Sequence, residues 1–397
     1  MTKQTLMTPG PVPLPPEVLD VLALPMEHHR TPEFEALFGR VLENLKKVFE
    51  TSERVFVQTS TGSGGMESAL VNCLSPGDTV IAIVSGKFGE RWADMAEVFG
   101  AKVIRHEVPW GKVVQVADIE KLLKANPEAV AVITQACETS TAVLHPIREL
   151  AQVTKSHKAV LMVDAITALG ALQMPMDGYG IDVLIGGSQK AFMLPTGLSF
   201  ISFSKKAWAL TETSKCPKFY FDIREERKAN EKGESLFSTA VTHIRALDRV
   251  LSIFLTKGMH KVHERIQALS KATILAASEM GLKILSEVPS PSVTAILMPD
   301  GIDSAKVRSE MEKQSNVIVM GGQDQLKGKI IRIGHMGAIS DEDMAVTFKA
   351  FAKALNSLKP ETVSDAQLQK ALSVIESTLK STPAVLSDGP TSSQAHL

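Results

Sequence analysis

Residues 181–191 read IDVLIGGSQKA, and the fold turns on how that run is divided. IDVLIGG is apolar and rich in β-branched residues with no polar alternation, which is the pattern of a strand buried on both faces of a parallel sheet. LSFISFS at 198–204 reads as another such strand. GGSQKA at 186–191, which closes the first strand, leaves Lys190 among glycines, a serine and an amide with no acidic residue beside it. A lysine in a turn after a strand is ordinarily a surface residue. At the carboxyl end of a buried parallel strand it also stands where open α/β sheets gather their ligands.

Working outward, short apolar runs alternate with helical patterns from Val55 onward. VFVQ precedes MESALVNCL, TVIAIV precedes ERWADMAEVFG, KVIRHEV precedes ADIEKLLKA, AVAVITQA precedes IRELAQVTKS, and AVLMVDA leads to IDVLIGG. The alternation predicts an α/β fold, a mostly parallel sheet flanked by helices. TPGPVPLPP at 8–16 is too proline-dense for a helix or sheet interior and reads as an extended arm laid over a surface or a subunit boundary. Residues 211–235 are polar and charged, an exposed excursion, and one helical pattern follows over 242–269. These features predict an arm at 1–20, a large domain at 21–260 and a smaller α+β domain at 261–360. At 361–397 they predict an amphipathic helix, AQLQKALSVIESTL, and a flexible tail, STPAVLSDGPTSSQAHL.

The 397 residues are 44% hydrophobic, enough for a large core, and 43 Lys and Arg nearly cancel 44 Asp and Glu. That balance offers no global charge for nucleic acid or an anionic membrane, so any anion site must be local. Three cysteines, Cys73, Cys137 and Cys216, show no metal-ligand spacing and fit free thiols in a reducing compartment. The N-terminus lacks an apolar signal core, and no stretch approaches roughly 18 uninterrupted apolar residues. The expectation is a cytoplasmic enzyme without metal.

Five features can join Lys190 in one site, each with a plainer reading. STGSGGMES at 60–68, between a strand and a helix, can cradle a phosphate with glycine backbone, hydroxyls and free helix amides, or can be an ordinary capped loop. Asp164 ends the apolar strand AVLMVDA; it can cap the chain, or remain ionised beside a protonated ring nitrogen. Phe88 in SGKFGERW can cover a flat heterocycle or fold back onto the core. Glu138, Thr139, Ser140 and Thr141 in CETSTAVLHPI are hydrogen-bonding groups that can merely end a strand, and Ser140 among them can contact a cofactor. Arg332, inside the apolar run KIIRIG, can grip a carboxylate with two hydrogen bonds or serve a structural ion pair. Together they supply a lysine for a Schiff base, a carboxylate for a ring N–H, an aromatic lid, a phosphate cradle and a carboxylate clamp. Pyridoxal 5'-phosphate requires that set.

At these residues the chain resembles the class V, fold type I aminotransferases, in particular the alanine–glyoxylate and serine–pyruvate group. The likeness runs through TPGPVPLPPEV, HHRTPEF, STGSGGMES, CETSTAVL, VDAITALG, GGSQKAFMLPTGLSFIS and RIGHMG. The resemblance implies Lys190 as the Schiff-base lysine, Asp164 as partner of the pyridinium nitrogen and Phe88 as the stacking ring. It implies phosphate contacts from Thr61, Gly62, Ser63 and Gln189, a cofactor contact from Ser140 and a substrate carboxylate on Arg332. It further implies a homodimer with shared active sites, acting on a small amino acid and a 2-oxo acid. The family completes its phosphate site from the neighbouring subunit with a Tyr and a Thr-Pro. This chain reads ESLFSTAVTH there, so Ser238 or Thr239 is the substitute, and phenylalanine stands at 88 where better-known relatives use tryptophan. His28, His29 and Arg30 can line the entrance or pack at an interface. Two rival readings are a cysteine desulfurase or lyase, which needs a nucleophilic cysteine on a mobile loop whereas Cys137 sits at a strand end, and a catalytically silent assembly protein of the same fold.

Overall fold

The computed structural model describes residues 4–382. Its central sheet has seven strands: β1 (Val55–Thr59), β2 (Thr79–Val84), β3 (Lys102–Glu107), β4 (Ala131–Gln135), β5 (Val160–Asp164), β6 (Val183–Gly187) and β7 (Leu198–Phe203). They lie in the order β1-β7-β6-β5-β4-β2-β3, all parallel except that β7 runs antiparallel to both neighbours. TVIAIV and VLMVD are buried along their whole length, as uninterrupted apolar runs demand. The edge strand β3, KVIRHE, is instead partly exposed and charged, which discourages pairing with another chain.

The strand order reverses between β2 and β4. The chain steps from β2 out to the edge and returns to β4 on the other side, and a crevice opens above the carboxyl ends at such a reversal. The loop after β2 and the segment at 136–141 after β4 flank that crevice. Helix α1 (Gly62–Cys73) follows β1 and helix α2 (Lys87–Val98) follows β2. The small residues of α1 let it lie close on the sheet: a Cβ at Gly65 would come within 2.9 Å of Ile185 and 3.0 Å of Ser199.

The link from β6 to β7, residues 188–197, is closed at both ends. Ser188 N–H donates to the Leu198 carbonyl at 3.0 Å, Leu198 N–H donates to Ser188 Oγ at 3.1 Å, and Leu194 N–H donates to the Ser188 carbonyl at 3.0 Å. Phe192 anchors the link from below, packed against Phe200 and Phe254 at 4.6 and 5.9 Å between ring centres.

Two stretches differ from their sequence reading. The polar excursion at 211–235 contains a helix, Ile223–Asn230, with Ile223 buried. It is tied down by Asn72, whose amide donates to the Phe221 carbonyl at 2.6 Å and accepts from Ile223 N–H at 3.1 Å. The pattern at 242–269 is two helices, α3 (Val241–Lys257) and α4 (Met259–Glu279). Gly258 breaks them at φ +89°, a conformation glycine adopts without steric cost.

A second, antiparallel sheet of β8 (Val293–Leu297), β9 (Met320–Gly321) and β10 (Ile330–Gly334) lies in the order β8-β10-β9. Helices α5 (Asp341–Leu358) and α6 (Asp365–Leu379) close its core, which joins Ile296, Ile331, Ile333, Phe348, Phe351, Ile375 and Leu379. The amphipathic helix expected after Pro360 is therefore present as α6. It opens on a capping box between Ser364 and Gln367. The tail, from residue 383, lies outside the described residues.

The proline-rich arm is laid over its own chain. Thr5–Leu6 pairs in parallel with Val317–Ile318, Gly334 N–H donates to the Met7 carbonyl at 2.9 Å, and Ala338 N–H donates to the Pro13 carbonyl at 3.0 Å. Among the described residues no helix is long and apolar enough to cross a membrane.

Candidate active site

Asp164 ends β5, and Lys190 lies in the link that follows the neighbouring strand β6. Both are buried, at 9% and 6% exposure. Burial brings the Lys190 amine down to about 8; Cys137 opposes that shift, Arg332 adds to it and Asp164 opposes it. Burial pushes the Asp164 carboxyl up to about 7, against a hydrogen bond from Ile166 N–H to Oδ1 at 3.0 Å. The charge of Glu138 adds to the rise, while Lys190 and Arg91 oppose it. A carboxylate so desolvated is stabilised by a cationic N–H donor, which a protonated ring nitrogen provides. The arm closes the lysine's other side. Lys190 Nζ donates to the Pro9 carbonyl at 2.7 Å, and a Cβ on Gly10 would sit 2.5 Å from that nitrogen.

Phe88 stands in the first turn of α2, half-buried, with the Arg91 guanidinium 4.9 Å from its ring centre. Ser140 faces that turn: its Oγ accepts from Lys87 N–H at 3.0 Å and donates to Glu138 Oε1 at 2.6 Å. Arg91 also reaches Ser63 Oγ at 3.4 Å, so the Phe88 turn and the start of α1 are neighbours.

The start of α1 has the character of an anion cradle. Thr61 stands at the N-cap without a side-chain cap bond, and the amides of Gly64 and Gly65 turn back to its carbonyl. The amides of Gly62 and Ser63 remain for a ligand. Gly62 is pressed on Ile166, which also meets the position a Cβ would take on Gly187. Gln189 Oε1 lies 3.2 Å from that same position and is buried without a partner among the described residues. A half-turn of its amide would present N–H to an anion. Gln135, in register with Asp164 at the end of β4, likewise has both polar side-chain atoms buried and without a partner among the described residues. A planar group with a basic ring nitrogen, an electrophilic carbon for the amine and an anionic tail fits these residues.

Ser238 and Thr239 stand beside the end of β1. Thr239 Oγ1 is 3.4 Å from Thr59 Oγ1, at the end of β1. Both residues border a cavity of about 20 Å³ together with Gln58, Tyr220 and Phe237, room for a single water.

Arg332, in β10, is 4% exposed. Its Nε donates to the Gly321 carbonyl at 3.0 Å and its Nη1 to the Thr139 carbonyl at 2.9 Å. Burial brings it down to about 10. Two carbonyls fix the fork, and the remaining N–H groups are free of any carboxylate partner among the described residues.

The Aminotransferase class-V family model matches residues 17–338. The chain belongs to the class-V aminotransferases. It is 38% identical over 347 residues to the soluble hydrogenase 42 kDa subunit of Anabaena cylindrica, covering 86% of this chain and 90% of that protein. It is 35% identical to the L-aspartate–glyoxylate aminotransferase of Paracoccus denitrificans, covering 86% and 88%. The ureidoglycine–glyoxylate aminotransferase of Bacillus subtilis superposes with a TM-score of 0.88 at 28% identity, covering 95% and 99%. As a class-V aminotransferase the chain has the fold type I architecture, and its cofactor is pyridoxal 5'-phosphate.

Class-V desulfurase chemistry has no support in the cysteines. All three are buried, and burial pushes the Cys137 thiol up to about 11, whereas the nucleophile in such chemistry is an accessible thiolate. Sequence reading gave no distinct role to Glu138, Gly10 or Arg91. An acid directly after AVAVITQAC was the visible signal for Glu138.

Proposed function

We propose that the chain moves an amino group from a small L-amino acid, such as alanine, serine or aspartate, to glyoxylate or pyruvate, as a cytoplasmic homodimer. The observation that carries the reading is Arg332. Its buried, carbonyl-braced fork stands close enough to Lys190 to lower that amine's affinity for protons, and the substrates of α-transamination all carry a carboxylate beside the reacting carbon.

Pyridoxal 5'-phosphate, when bound, supplies a carbonyl that condenses with amines and a ring that accepts electron density from a substrate Cα. The residues do the rest. Lys190, held near 8, is partly unprotonated at neutral pH and can take a proton from the substrate Cα and return one. Asp164 would keep a proton on the ring nitrogen. Phe88 would cover the ring face, and Thr61, Gly62, Ser63 and Gln189 would hold the phosphate. Arg332 would hold the substrate carboxylate and so turn the Cα–H toward Lys190.

Glyoxylate is favoured as acceptor because the names of two related aminotransferases share it. A dimer is supported by aromatic surface beside the Ser238–Thr239 loop: Phe219 is 82% exposed and packs on Phe237 at 5.8 Å, with Tyr220 stacked on the same ring at 5.1 Å. The test is a panel of amino donors against glyoxylate, pyruvate and 2-oxoglutarate, with keto-acid product measured and cofactor absorbance followed in each half-reaction. Small donors with glyoxylate should turn over, and Lys190→Ala should abolish both turnover and the visible band. Failure of every donor–acceptor pair in cofactor-loaded protein would remove the proposal. Sedimentation should give twice the chain mass.

A further inference from the structure

The first turn of α2 satisfies its backbone donors in an unusual way. A helix start leaves several N–H groups without intrahelical partners, and the preceding side chain commonly takes one. Here that residue is Gly86, which has none to offer. The donors are taken by residues from across the crevice, after β4. Lys87 N–H goes to Ser140 Oγ at 3.0 Å, and Phe88 and Gly89 N–H go to Glu138 Oε2 at 3.1 and 3.0 Å. The other carboxylate oxygen, Oε1, accepts from Ser140 N–H at 3.0 Å and Oγ–H at 2.6 Å. Four donors thus converge on a carboxylate that is fully buried.

The arrangement fits only this pair of residue types. A glutamine at 138 would turn an NH₂ toward one of the two donor pairs, so half of the cap would be lost in either orientation. A side chain at 86 would fall on Ser140 Oγ and within 2.6 Å of Glu138 Cγ. Folding of α2 does not call for such a device, because Trp92, Ala93 and Ala96 already bury the helix in the core. What it fixes is the turn that carries Phe88. It also ties that turn to Thr139, the next residue, whose carbonyl holds Arg332.

We infer that Glu138 is a positioning residue: it holds the Phe88 ring over the cofactor site before any ligand arrives, and links that ring to the brace of the substrate-binding arginine. The inference rests on the proposed roles of Phe88 and Arg332. Both oxygens of Glu138 are taken by protein donors. It acts through the backbone of residues 87–89 and through its neighbour Thr139.

The experiment compares full-length wild type with Glu138→Gln and Ser140→Ala. Amide hydrogen exchange of residues 86–90 is measured in cofactor-free protein, pyridoxal phosphate affinity by tryptophan quenching, and ring orientation by the visible circular dichroism of the bound cofactor. Glu138→Gln should speed exchange at residues 88 and 89, weaken cofactor binding on the order of 10- to 100-fold and diminish the dichroism, with a cooperative thermal transition retained. Ser140→Ala should act in the same direction but less, chiefly at residue 87, and it carries the test if Glu138→Gln does not fold. Wild-type affinity and dichroism in a folded variant would overturn the inference. A wild type that takes up no cofactor would instead refute the cofactor-site roles; exchange in the cofactor-free proteins would still decide the clamp, since unchanged rates at 87–89 overturn it.

Discussion

The amine of Lys190 donates to the carbonyl oxygen of Pro9 at 2.7 Å, across 181 positions of sequence. The arm that supplies this carbonyl is held on its far side by the end of β10, the strand that carries Arg332; a Cβ on Gly334 would collide with the Thr8 carbonyl. The arm therefore joins the second sheet to Lys190, and its Pro9 carbonyl docks the amine.

Gly10→Ala should expose that dependence. Gly10 sits at φ +141°, and a methyl there would lie 2.5 to 2.7 Å from the end of the Lys190 side chain. The arm must lift or the amine must move. The variant should stay folded while cofactor loading, read from the visible band and from released pyridoxal phosphate, falls by at least about tenfold, the equivalent of a misplacement costing about 1.4 kcal/mol. Wild-type loading would show that the arm yields freely.

The buried lysine makes the ligand-free chain weaker than it need be, with a definite pH dependence. The folded-state value is about 8 against an ordinary 10.5, so the folded chain binds fewer protons than the unfolded chain between those values and its stability rises with pH across that window. Below about 8 the full cost of a buried ammonium is present. Lys190→Met should accordingly stabilise cofactor-free protein at pH 6.5 by ~1–3 kcal/mol, and the gain should fade toward pH 10.5. Urea unfolding at several pH values measures it; a gain independent of pH would mean the amine is not the cause.

Arg332→Lys should separate binding from chemistry. Lysine keeps the charge but loses the planar fork, and the carbonyls of Gly321 and Thr139 would compete for its ammonium. The expected result is a KM for the amino donor raised on the order of 10- to 100-fold with a smaller change in kcat. Steady-state kinetics with alanine, and with an amine lacking a carboxylate, provides the check: the latter should be nearly unaffected.

Cys137 should be inert. With its thiol pushed up to about 11 and wholly buried, almost none is thiolate at pH 8. Iodoacetamide should leave it unmodified in folded protein and label it after unfolding, as read by peptide mass spectrometry, and cysteine should yield no sulfide. Rapid labelling of the folded chain would reopen the desulfurase reading.

The parts legible in the sequence were those written in contiguous residues. Uninterrupted runs such as TVIAIV and AVLMVDA marked buried strands because a strand covered on both faces has no polar alternation, and the ends of two such runs presented Asp164 and Lys190. Gly258 was harder to place, since the apolar periodicity of α3 and α4 continues across it while the backbone does not. The helix at Ile223–Asn230 was hidden by a polar composition that Asn72, about 150 positions away, offsets with two hydrogen bonds. The cap on the Phe88 turn was opaque for the same reason: a carboxylate supplied from 50 positions downstream leaves no local capping signature.

The closed link between β6 and β7 constrains motion as well as placement. With Ser188 bonded to Leu198 in both directions and Phe192 wedged beneath, the backbone at residue 190 is a fixed pivot. In the role proposed for Lys190, every displacement of the amine must then come from rotations about the four methylenes of its stem, so its itinerary is a short arc with Pro9 at one end.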